Sequence, residues 1–96
     1  MNKQQLLQRD KEKTLLVDIR ETNELKMLPP IDGAIHIPLS TFGNAINTPL
    51  LPQDKKIITI CHSGGRCLMV NQTLQSLGYD VDYLEGGMAT YIQSGS

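Results

Sequence analysis

The chain has 96 residues, 40% of them hydrophobic, and a net charge of −1 at pH 7. That length suits one compact domain with its own core, expected here over residues 1–96, and the near-neutral charge excludes the basic excess of a nucleic-acid binder. No apolar stretch approaches the roughly 20 residues of a membrane helix. Residues 1–10 also lack the apolar core of a signal peptide, so a cytoplasmic protein with no membrane partner is expected. The two cysteines, Cys61 and Cys67, flank a short loop. A small secreted domain would carry a larger even set, so reduced thiols are expected.

In chain order, residues 3–9 read as a short polar helical opening. Residues 14–19, Thr-Leu-Leu-Val-Asp-Ile, form an apolar, partly β-branched run that predicts a buried strand ending in charge. Residues 20–26 predict one or two helical turns, which Pro29-Pro30 must stop. Residues 34–38 predict a second short strand, and Ser40 or Thr41 a cap for a brief helix through Asn47. Lys56-Ile57-Ile58-Thr59-Ile60 predicts a central strand. Residues 67–77 predict a helix with Val70, Leu74 and Leu77 on its buried stripe, ended by Gly78. Residues 81–84 predict a last strand, and residues 88–92 a closing helical turn. Alternating strands and helices imply a layered α/β domain whose small, mostly parallel sheet is flanked by helices.

In such sheets ligands bind beyond the carboxyl ends of the strands. The loop Cys61-His62-Ser63-Gly64-Gly65-Arg66 begins at that end of the central strand and runs into the following helix. A thiol near a helix N-terminus and an arginine has a lowered pKa and more thiolate, which makes Cys61 the candidate nucleophile. Gly64 and Gly65 allow backbone N–H groups to converge into an anion cradle, read against an ordinary turn. Arginine is unfavourable in a helix's first turn, so Arg66 needs an anionic partner, either Asp18 or a bound anion. If the first and central strands are parallel neighbours, Asp18 and Arg20 abut the loop as supporting residues at the pocket edge. His62 is adjacent to the nucleophile but points elsewhere by default, and His36 reads as structural. A metal site at Cys61, His62 and Cys67 fails on ligand count, so neither metal nor cofactor is expected.

Four residues separate Cys61 from Arg66. Cysteine-dependent phosphatases carry one more, which gives a wider ring of N–H groups for three phosphate oxygens. The smaller loop suits a single sulfur atom carried on the cysteine.

These segments together resemble the rhodanese-like, thiosulfate sulfurtransferase family in its single-domain form. Residues 16–21, Leu-Val-Asp-Ile-Arg-Glu, are similar to that family's Val-Asp-Val-Arg-Glu. Residues 33–39 look like its Gly-Ala-Ile-Asn-Ile-Pro-Leu, and residues 61–66 fit its six-residue active-site loop. Leu77-Gly78-Tyr79 and Leu84-Glu85-Gly86-Gly87 resemble its later landmarks, so the likeness runs from about residue 15 to residue 92. Departures are Pro30-Ile31-Asp32 where Gly-His-Ile is common, Met88 for a tryptophan, and Cys67 for the usual serine. Cys67 is either a packing residue or a thiol that resolves a persulfide.

The resemblance implies a three-layer rhodanese-like fold and a sulfurtransferase. Cys61 would carry sulfur as a persulfide, taken from thiosulfate or a similar small anionic donor and passed to a thiol or protein-thiol acceptor. The backbone of His62 through Arg66 would hold that persulfide. Two other readings are a noncatalytic or sulfur-carrier interaction module and, disfavoured by loop length, a small cysteine phosphatase or arsenate reductase.

Overall fold

The computed structural model describes residues 1–46, 48–62 and 65–93. Among the described residues, four strands, β1 (Thr14–Asp18), β2 (Ile35–His36), β3 (Lys56–Ile60) and β4 (Val81–Tyr83), form one sheet in the order β2-β1-β3-β4. Every pairing is parallel. Parallel neighbours need crossover connections, and the segments between the strands supply them. Helices α1 (Lys3–Leu7), α2 (Gly65–Ser76) and α3 (Gly87–Gln93) accompany the sheet, with 3-10 turns at Thr22–Lys26 and Leu39–Asn44.

Strand alternation divides the core into two layers. Ile57 and Cys61 on β3 and its end join Val17 and Ile19 in one apolar cluster, which α2 covers with Cys67, Val70 and Leu74. Ile58 and Ile60 face the other way, with Leu16, Leu6 from α1 and Met88 from α3. Side chains two apart in a strand share a face, so one β-branched run feeds both layers. Thr59 and Asn71 are the polar side chains buried between β3 and α2, and they hydrogen-bond to each other.

Three expectations need correction. Leu77 is 44% exposed and lies past the end of α2, whose buried stripe is Cys67, Val70, Asn71 and Leu74. The cause is Gly78 at φ 92°, which reverses the chain; Tyr79 N–H then donates to Leu74 O at 3.0 Å and Gly78 N–H to Gln75 O at 3.0 Å. This Schellman geometry sends Tyr79 into the core beside Leu74, where Leu77 was expected. Ser40 and Thr41 do not cap the second 3-10 turn, which starts at Leu39 after Pro38 with no side-chain cap. Ser40 instead donates to the Glu21 carboxylate through its hydroxyl at 2.8 Å and its N–H at 3.1 Å. The second strand is also shorter than residues 34–38: it covers Ile35–His36, Ile37 N–H still donates to Asp18 O in the same register, and the 3-10 turn then begins at Leu39, whose N–H donates to Ile19 O. Asn47 lies outside the described residues.

Candidate active site

Register brings the candidate residues together. Asp18 on β1 pairs with Ile60 on β3, and Ile19 N–H donates to Ile60 O at 2.9 Å. The chain of β3 continues directly into Cys61, which is fully buried, and then into exposed His62. Arg66 follows in the first turn of α2. Ser63 and Gly64 lie outside the described residues. Gly65 opens α2, and it is not among the described glycines with positive φ, so its expected part in turning the backbone is not seen.

The other end of the loop backbone is fastened by α3. Met88 N–H donates to Cys61 O at 2.8 Å and Ala89 N–H to His62 O at 3.0 Å. The N-terminal N–H groups of a helix have no partner within the helix, so here the loop carbonyls satisfy them. The approach is so close that a Cβ on Gly87 would fall onto the carbonyl oxygens of Cys61 and His62, and Gly87 has φ 64°. Only glycine meets both demands.

Arg66 pairs with Glu24, and not with Asp18, which was one of the two anionic partners expected for it beside a bound anion. Its two terminal nitrogens donate to Glu24 Oε1 at 2.7 Å and Oε2 at 2.6 Å, a bidentate fork across 42 residues. Glu21 N–H also donates to Glu24 Oε1, at 2.9 Å, which sets the carboxylate at the head of the 3-10 turn. The hydrogen bond from Arg66 is the main reason the Glu24 carboxyl is held at about 2, and burial opposes it. Glu24 is the residue that sequence reasoning missed. Its only signal was an acidic side chain shortly after Asp18-Ile19-Arg20-Glu21, and nothing local tied it to Arg66.

Asp18 could not have served Arg66, because its oxygens are taken. Arg20 Nε donates to Asp18 Oδ1 at 2.9 Å, and its Nη2 to Oδ2 at 2.8 Å. The remaining terminal nitrogen donates to Leu28 O at 2.8 Å. Both side chains are buried to 1% exposure or less. Asp18 and Arg20 therefore sit beneath the 3-10 turn as a scaffold, not at the pocket edge. His36 Nε2 donates to Arg20 O at 2.6 Å and closes this corner.

Cys67 is buried in the same cluster as Cys61, and no disulfide joins them. The Cys67 thiol is pushed strongly up, first by its hydrogen bond to Cys61 and then by burial. Exposed His62 lines a cleft of about 450 Å³ with Glu24, Met27 and Leu28. Among the described residues, no three His, Cys, Asp or Glu side chains gather as metal ligands, and no helix is long and apolar enough to cross a membrane.

Residues 2–94 match the family model described as a rhodanese-like domain, and the chain belongs to that family. It is 32% identical over 78 residues to a tRNA sulfurtransferase of Desulfurococcus amylolyticus, covering 81% of this chain and 15% of that protein. It is 31% identical over 85 residues to the mitochondrial thiosulfate sulfurtransferase RDL2 of Saccharomyces cerevisiae, covering 78% of this chain and 57% of that protein. The chain thus spans less than two thirds of either relative. Among solved structures, a rhodanese-related protein of Thermoplasma volcanium superposes with a TM-score of 0.84 at 29% identity, covering 99% of this chain and 91% of that one.

Proposed function

We propose that the protein is a sulfurtransferase in which Cys61 carries the sulfur as a persulfide. The observation that carries this reading is the placement of Cys61: fully buried at the end of β3, in a short loop fastened by α3 on one side and by the Arg66–Glu24 fork on the other. A buried sulfur in a tight loop favours a donor whose reacting atom is small and terminal. The outer sulfur of thiosulfate has that shape.

The Cys61 thiolate attacks that outer sulfur. A new S–S bond forms, the old one breaks, and sulfite leaves with its electron pair. The persulfide extends the Cys61 side chain by one S–S length, about 2 Å. A thiolate acceptor then attacks the outer sulfur and releases the Cys61 thiolate. Backbone N–H groups from His62 to Arg66, at the positive end of α2, stabilise the terminal sulfur's charge. Arg66 acts mainly as a brace, because its fork is filled by Glu24. Asp18 and Arg20 hold the strand end beneath.

The test is steady-state sulfur transfer from thiosulfate to cyanide with both concentrations varied. Parallel double-reciprocal lines are expected for a covalent two-step path, with no turnover by Cys61→Ser. Absence of turnover with thiosulfate, mercaptopyruvate and an organic persulfide alike would overturn the reading. Turnover of an aryl phosphate would replace it with phosphatase chemistry.

A further inference from the structure

The cleft of about 450 Å³ borders the Cys61 loop at both of its described ends. His62, one wall, directly follows Cys61, and Glu24, another, holds Arg66 at the loop's far end. The other walls among the described residues are Met27 and Leu28, which supply apolar surface. Met27 is 78% exposed, yet its backbone is clamped on both sides. Its N–H donates to Glu24 O at 3.2 Å, and the next carbonyl, Leu28 O, accepts from buried Arg20 at 2.8 Å. Pro29 and Pro30 then restrict the chain that leaves. Residues three apart in a 3-10 turn lie one above the other, which sets Met27 on the same side of the turn as Glu24. Leu28 is half-buried and packs against the layer that holds Leu16 and Ile58. A thioether held out in solvent on a fixed backbone, beside the reacting loop, adds nothing to that core.

Thiosulfate has no use for such walls. It is a small hydrated dianion, no lysine or arginine lines the cleft among the described residues, and the Glu24 carboxylate already has its cation in Arg66. Apolar walls, few polar groups and this volume match a small organic molecule. We propose that the cleft binds the sulfur acceptor as a small neutral thiol with an apolar body, and that Met27 and Leu28 set this preference. The inference rests on the reading of Cys61 as the persulfide carrier. The acceptor thiol gives its proton to water, and its thiolate bonds to the outer sulfur of the persulfide. The bond from that sulfur to Cys61 breaks, Cys61 leaves as thiolate, and the acceptor departs as an organic persulfide. The unbranched, polarisable side chain of Met27 adapts to bodies of different shape, while Leu28 offers a fixed surface.

N-acetylcysteamine and N-hexanoylcysteamine share one thiol and differ only in the length of an apolar tail, so their ratio as acceptors tests the cleft. With thiosulfate as donor, the longer thiol is expected to be favoured by about tenfold in kcat/KM, carried by KM. Met27→Gln should cut that ratio to about threefold, and Met27→Leu should keep it. General damage to the fold lowers both thiols alike and leaves the ratio where it was. Binding is read separately, with no sulfur donor, from the methyl NMR signal of Met27, which Met27→Gln assigns by its loss. Titration with N-hexanoylethanolamine, an alcohol that cannot take sulfur, should shift that signal saturably, and N-acetylethanolamine at the same concentration should not. Transfer to cyanide with equal kcat/KM for the two thiols would overturn the cleft proposal and leave Cys61 as the sulfur carrier. A saturable Met27 shift with no transfer to any acceptor would overturn the transfer reading and, with it, the acceptor role of the cleft.

Discussion

Arg20 and Arg66 each bind a carboxylate through two nitrogens, yet the two pairs do different work. Arg20 meets Asp18 two residues away, with both side chains at 1% exposure or less. Arg66 meets Glu24 across 42 residues, with the side chains 32% and 25% exposed. A fully buried pair is weak evidence of net stabilisation, but removing one partner strands a charge in the core. A half-exposed pair is worth less energy and is free to set geometry. The first holds the end of β1; the second joins the 3-10 turn to the start of α2. The same chemistry builds a scaffold in one place and a loop brace in the other.

The sharpest way to break that contrast is Asp18→Asn. It should cost about 3–5 kcal/mol, because Arg20 loses its charge partner without reaching solvent. Urea unfolding reads the loss, and a change under about 1 kcal/mol would remove the scaffold role. Gly87→Ala comes next, at about 1–3 kcal/mol for overpacking against the loop carbonyls. Gly78→Ala, with open space around its added methyl, should cost stability by backbone strain alone. Sulfur transfer measured on the folded fraction should therefore fall in Gly87→Ala and not in Gly78→Ala.

Glu24→Gln should cost about 1 kcal/mol of stability and about tenfold in turnover, because the loop loses a charged fork but stays buried at Cys61. Equal losses in folding and turnover would make it a second scaffold pair. The smallest effect is on acid stability. Glu24 is held at about 2 in the folded protein against 4.5 ordinarily, so its contribution is present above 4.5. It fades as pH falls through about 2. The stability gap between the parent protein and Glu24→Gln should thus be constant near neutrality and close in acid. A gap that widens in acid would contradict the assignment.

What could be read from residues alone follows the reach of local patterns. The central strand and the glycine end of α2 were legible because each depends on neighbours within a few positions. Asp18 and Arg20 were legible as partners of the strand end, but their depth was not. Charged residues read as exposed, and the burial of Arg20 depends on Leu28 O arriving from eight residues away. The Glu24 fork was out of reach, since it exists only after β1 and β3 pair. Thr59 was hidden inside a β-branched run, where its hydroxyl looks like one more packing side chain. Arg66 did need an anion, as its place in a first helical turn suggested. The anion came from the 3-10 turn because Arg20 already occupied Asp18.

The central claim is that Cys61 itself takes up sulfur, and intact-protein mass spectrometry after exposure to thiosulfate tests it most directly. A gain of one sulfur atom is predicted, removed by cyanide or dithiothreitol, absent in Cys61→Ser and retained in Cys67→Ala. An adduct that persists in Cys61→Ser, or one that disappears only with Cys67, would contradict the account.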